Sequence, residues 1–118
     1  MKLTKMMPFL DKESKEAIVS DIIEGKVDLD SFKLTSLYPF LDDAQLDRIV
    51  NAYLNGTLDI SLVPLLPFVG EKTMERLIKH YEEGNERDIR IEKLYPFINA
   101  EQMQRIFKSE YAKYRKTE

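Results

Sequence analysis

Apolar residues fall along this chain in helical stripes. Leu46, Ile49, Val50 and Tyr53 are spaced i, i+3, i+4, i+7, and so are Met74, Leu77, Ile78 and Tyr81. That spacing places four side chains on one face of an α-helix. Each stripe follows a Pro-Phe-aliphatic triplet and precedes a glycine. The triplets are Pro8-Phe9-Leu10, Pro39-Phe40-Leu41, Pro67-Phe68-Val69 and Pro96-Phe97-Ile98, with Pro-to-Pro steps of 31, 28 and 29 residues. Gly25, Gly56 and Gly84 each stand 17 residues after a triplet proline; Lys113 holds the fourth such position. The register predicts long helices over 12–24, 43–55, 71–83 and 100–115.

The helix ends have local causes. Asp11, Asp42 and Asn99 follow the triplets as N-caps, and Gly70 takes that place in the third unit. An Asp or Asn oxygen accepts from the unpaired N–H groups of a first turn. Asp42 with Gln45, and Asn99 with Gln102, have capping-box spacing. Leu41 with Leu46, Val69 with Met74 and Ile98 with Met103 have the spacing of a hydrophobic staple. Lys15 takes that place in the first unit, which predicts a looser start. The glycines read as C′ residues in the left-handed region. Between each glycine and the next proline, Asp28 or Asp30, Asp59 and Asp88 are candidate caps of a short helix ending near Tyr38, Leu66 and Tyr95, because a residue before proline avoids the α region. Pro64 reduces the third of these to a 3₁₀ turn.

One such hairpin cannot bury its stripe alone, but stacked neighbours can. The expected fold is all-α: one domain over 1–118, with units near 1–27, 28–58, 59–87 and 88–118. These four helix hairpins of about 28–31 residues stack as a short α-solenoid or compact right-handed helical array. Glu110 at an apolar position of the last helix, and the tail Lys113-Tyr114-Arg115-Lys116, read as a polar cap. The chain resembles a tandem two-helix array in the broad style of tetratricopeptide or HEAT repeats, with a shorter period. Its Tyr/Leu-Pro-Phe-aliphatic-Asp unit resembles short helical repeats of bacterial proteins of unassigned function. The resemblance implies fold only and carries over no functional residue.

Composition adds exclusions. The 118 residues carry 18 Lys and Arg against 21 Asp and Glu, a net charge of −3, with no Cys and one His. Absence of Cys removes disulfides, thiolate nucleophiles and Cys-based zinc sites. There is no signal-peptide run and no stretch of the ~20 apolar residues that spans a bilayer, so a cytoplasmic location is expected. Charge is uneven: residues 34–62 hold one basic and four acidic residues, and residues 92–118 hold six basic and four acidic. No nucleic-acid signature accompanies the basic end, so nucleic acid is not an expected partner.

Candidate chemistry is sparse. His80 reads as a boundary side chain, because the H-E-x-x-H pattern and a nucleophile elbow are missing. Asp42, Asp43 and Asp47 read as helix-start acids favoured by capping and the macrodipole. The four triplet Phe read as core between units, each worth ~1.5–3 kcal/mol of burial. Tyr38, Tyr95, Tyr114 and Arg115 are the candidate partner contacts, since tyrosine joins an apolar ring to a polar tip. No cofactor, metal or catalytic set is expected. The reading is a non-enzymatic module that binds a protein or peptide. The alternatives are a self-assembling structural protein with head-to-tail contacts, and a regulator or enzyme with a small-molecule pocket.

Overall fold

The computed structural model describes residues 2–85 and 89–116. Among them every regular element is helical and no strand occurs. The α-helices are α1 (Lys2–Met6), α2 (Lys12–Ile23), α3 (Asp43–Leu54), α4 (Glu71–Glu82) and α5 (Ala100–Ala112). The four long helices start where the caps predict. Asp11, Asp42 and Asn99 each accept from the backbone N–H three residues on, at 2.8, 2.8 and 2.7 Å. Gly70 caps α4 without a side chain. At the other ends Gly25, Gly56 and Gly84 have φ of +75, +78 and +97°. The N–H of each bonds three residues back, to Ile22, Tyr53 and Tyr81. The next N–H reaches five back, to Asp21, Ala52 and His80. This is the Schellman pattern, and it needs a left-handed residue.

The segments between glycine and proline differ from the expected short helix. Two 3₁₀ turns, Leu34–Ser36 and Tyr38–Phe40, stand before α3; one run, Val63–Phe68, stands before α4; and Ile91–Lys93 and Tyr95–Phe97 stand before α5. The turns run through the triplet proline rather than ending ahead of it. In Met7–Phe9, Tyr38–Phe40 and Tyr95–Phe97 the triplet proline sits in the first two positions, where no donor is required of it, whereas in Val63–Phe68 Pro64 holds that place and the triplet Pro67 lies inside the run. The chain then leaves through an extended Leu10, Leu41, Val69 or Ile98, with ψ near 150°. Asp28 begins no helix. Its carboxylate accepts from the Asp30 N–H at 3.0 Å and the Ser31 hydroxyl at 2.7 Å, closing a tight turn. Asp59 is exposed and starts no helix, and Asp88 lies outside the described residues.

The core collects Val19 and Ile22 from α2, Leu46, Ile49 and Val50 from α3, Met74, Leu77 and Ile78 from α4, and Ile106 from α5. Leu34, Leu37, Tyr38, Leu62, Leu65, Leu66, Ile91 and Leu94 from the 3₁₀ segments close it. The molecule is elongated, 61 × 25 × 20 Å, with a radius of gyration of 16.6 Å. A compact chain of this length would have about 13.5 Å.

Successive long helices are tied by one recurring set of side chains. Gln45, Thr73 and Gln102, each six residues after its proline, are the buried polar residues among those described. Gln45 Nε2 donates to Glu16 at 3.3 Å, Thr73 Oγ1 to Asp47 at 2.7 Å, and Gln102 Nε2 to Glu75 at 3.2 Å. Three residues after each, an arginine grips the same acid: Arg48 to Glu16 at 2.9 Å, Arg76 to Asp47 at 2.9 Å, and Arg105 to Glu75 at 2.7 Å. Arg48 also donates to Ser20, Arg76 to Asn51, and Arg105 to Glu82. The Arg105 guanidinium, more than any other group, holds the Glu75 carboxyl below its ordinary value of 4.5.

The glycine cap and the acid-arginine tie each have a measurable cost. Nothing lies within 4 Å of a Cβ built on Gly56, so only its φ resists substitution. Gly56→Val is expected to cost about 1 kcal/mol or more and to lower the thermal midpoint by roughly 3–6 °C. An unchanged midpoint refutes the cap. The second concerns acid. Because the folded pKa of Glu75 is depressed, its pairing adds stability above the ordinary carboxyl value of 4.5, and that stability is lost as pH falls through the depressed value. The melting gap between wild type and Arg105→Ala is therefore full at neutral pH and closes below pH 4.5. A pH-independent gap refutes the ion pair's role.

Candidate interaction surface

The 3₁₀ segments decide what the surface offers. Leu34, Leu37, Tyr38 and Leu41 repeat the i, i+3, i+4, i+7 spacing and are all buried. Leu62, Leu65, Leu66 and Val69 follow the same pattern, with Val69 partly buried. The triplet Pro and Phe fall outside this stripe, so they turn outward. All four triplet prolines are exposed. Phe9 is 87% exposed, Phe68 and Phe97 are exposed, and Phe40 alone packs partly on the core. The expectation of a buried Phe set is thus overturned, because the residues before each proline fill the space assigned to the Phe. The signal was present in the sequence: counting the stripe back from Leu41 or Val69 passes over the Phe. In the last two units the Pro-Phe ridge is continuous. Phe97 shares a cleft of about 170 Å³ with Leu66, Pro67 and Val69.

A second feature lies beside the segments that follow the glycines. Leu29, Phe32, Leu34, Ile60 and Pro64 line a cavity of about 290 Å³ whose wall includes Lys33, Tyr38 and Asp59. Ile60 and Ser61 also line its neighbour, of about 340 Å³, with Tyr53, Leu62, Val63, Leu66, Ile89, Arg90, Lys93 and Leu94. The two cavities adjoin across Ile60-Ser61 and are mostly apolar. Their rims carry Lys33, Arg90 and Lys93, exposed cations that make no ion pair among the described residues. Sequence reasoning missed this track, because its walls come from loops of different units that no local pattern joins.

The four predicted contact residues do not converge. Tyr38 is 1% exposed. The expected partial exposure is corrected: Tyr38 is part of the wall of the smaller cavity, and burial pushes its hydroxyl up to about 12. Tyr95 is exposed on the last 3₁₀ turn, and Tyr114 and Arg115 are exposed beyond α5. None of the three lines either cavity. His80 sits half-buried near the end of α4. No cluster of three His, Cys, Asp or Glu with metal-binding geometry occurs among the described residues. Asp42 caps α3 and Asp47 holds Arg76 and Thr73, so these two of the three acids at that helix start serve the fold. Glu110, expected as part of a polar cap, accepts from the Tyr81 hydroxyl, which with Lys113 lowers its pKa. No described helix is long and apolar enough to cross a membrane.

Outward and inward positions predict opposite costs. Phe9→Ser is expected to change stability by less than about 0.5 kcal/mol. Leu94→Ala, in the wall of the larger cavity, is expected to cost about 2–5 kcal/mol. Chemical denaturation of both variants checks the assignment, and a large loss for Phe9→Ser would return the Phe set to the core. Compared with known proteins, the chain matches no family model, no curated protein and no solved structure.

Proposed function

We propose that this chain is a non-enzymatic helical repeat module, four hairpin units stacked as a short α-solenoid, that binds an extended peptide segment of a protein partner. The observation that carries the reading is the pair of adjoining apolar cavities with Lys33, Arg90 and Lys93 on their rims. Cavities of this size accept apolar side chains, and a track that repeats along an array suits an extended chain. The rim cations, which pair with no described residue, favour a peptide with acidic residues beside apolar anchors. Stacking in register is supported by the three equivalent acid-arginine ties and by the elongated shape. A Cys-free chain suits the cytoplasm.

The other readings have less behind them. Head-to-tail assembly in the same register would join Gln104 to Ala17, positions that hold an acid and an arginine at the internal junctions. A small-molecule catalyst would want carboxylates and His80 converging on a cavity. His80 lines neither cavity, and the larger one has no carboxylate wall.

The test is selection from a random peptide library, on wild type and on Arg90→Glu/Lys93→Glu. Wild type is expected to enrich peptides pairing acidic with apolar residues. The double variant is expected to hold them at least about tenfold more weakly and to melt unchanged, since both side chains are exposed. Failure to enrich any peptide, or equal retention by the variant, overturns the proposal.

A further inference from the structure

The outer face of α5 is apolar and uncovered. Phe107 is 62% and Tyr111 55% exposed, and their rings stack on one another with centroids 5.6 Å apart. Phe107 stands 11 residues after its proline, where the other long helices carry Val19, Val50 and Ile78, all fully buried. A side chain of core type thus looks outward. Another hairpin of the same kind would not complete this face. It would bring an arginine to the position eight residues after the proline, and α5 has the neutral Gln104 there in place of Glu16, Asp47 and Glu75.

The charges beside the face select a different occupant. Glu101 and Lys108 are exposed and make no ion pair among the described residues. Seven residues apart, they lie on the same flank of the helix, about 10.5 Å from each other along its axis. That is too far to pair within one helix, where partners stand three or four residues apart. Two antiparallel copies of α5 resolve this. A two-fold axis level with the midpoint between residues 104 and 105 keeps each flank on its own side. It puts Glu101 of one copy level with Lys108 of the other, twice. The same axis sets Tyr111 level with Ile98, just ahead of the second copy's helix and next to the exposed Phe97. Opposite charges flanking an apolar strip, each meeting its complement under a two-fold, are the signature of a self-complementary interface.

We propose that α5 pairs antiparallel with α5 of a second copy of this chain, through Phe107 and Tyr111, with reciprocal Glu101–Lys108 ion pairs fixing the register. This pairing does not rest on the peptide-binding reading, since it uses the opposite end of the sequence unit from the loop-side cavities. One helix per copy places the contact at the small end of specific interfaces, below about 1,200 Å² in total. Association is therefore expected in the micromolar range or weaker.

Sedimentation equilibrium from low micromolar to millimolar protein tests it. Wild type is expected to dimerise reversibly. Phe107→Ser is expected to weaken dimerisation by about tenfold or more while leaving the circular-dichroism melt of the monomer unchanged. Glu101→Lys or Lys108→Glu alone is expected to weaken it by about threefold or more. The double variant E101K/K108E is expected to recover the wild-type constant to within about twofold. Should Phe107→Ser melt early, the charge variants, on exposed side chains, decide alone. A strict monomer throughout, a dimer indifferent to Phe107→Ser in a folded protein, or a double variant no better than the singles overturns the pairing.

Discussion

The structure depends on a buried amide or hydroxyl six residues after each internal triplet proline. Gln45 is the clearest case. Its Oε1 accepts from the Asp42 backbone N–H, completing the capping box that starts α3. Its Nε2 donates to Glu16 on the preceding long helix. One 1%-exposed side chain therefore starts its own helix and fixes it against its neighbour. Gln102 does the same between Asn99 and Glu75. A buried amide left half-satisfied costs about 1–3 kcal/mol, so cap and inter-helix tie stand or fall together. No described buried side-chain N or O lacks a partner. Thr73 shows the limit of the device. It reaches Asp47 but cannot return a bond to the cap, and the cap there is Gly70.

What could be read from the sequence divides along the same line. Helix bounds and glycine caps depend on residues within about six positions of each other. The proline-to-glycine register exposed them, and the described ends agree to within one to three residues. The acid-arginine ties join residues 29–32 apart in sequence. They become visible only when the units are superposed, as Glu16, Asp47 and Glu75 against Arg48, Arg76 and Arg105. The capping-box reading found Gln45 and Gln102 but assigned each a single partner. The loop-side cavities were out of reach for a related reason: Leu29, Ile60 and Ile89 recur after the acid that follows each glycine, but nothing in that local pairing tells that Ile60 and Ile89 line one cavity from different units.

The Phe residues show how a correct pattern was misapplied. Recurrence at one position per unit marks architecture, and burial is the commonest architectural reason for an aromatic. Here the recurrence belongs to the turn. The stripe that closes the core comes from the residues before the proline, and Tyr38 takes the buried place that Phe40 was expected to fill. Pro-Phe is left at the bend, facing out. Phe9, Phe68 and Phe97 are thereby left exposed at equivalent bends, while Phe40 folds back partly onto the core.

The two ends of the sequence unit thus carry different kinds of surface. The loop side has apolar cavities whose rim cations pair with no described residue, and the proposed ligand there is acidic and extended. The outer face of α5 has aromatic rings with one acid and one base along a single flank, neither paired with a described residue, and in the proposed pairing that balance suits an equal partner rather than an acidic one. Acids in the middle units are consumed in caps and ties, as with Asp42 and Asp47. The last unit holds the one arginine of the ladder that takes two acids, Glu75 and Glu82, and its own eighth position has gone neutral at Gln104. Loss of that acid ends the ladder, and it leaves the aromatic face of α5 without the polar anchor that orders every earlier junction. Any partner on that face has to be positioned by charges at its edges, which makes Glu101 and Lys108 the residues that set orientation there.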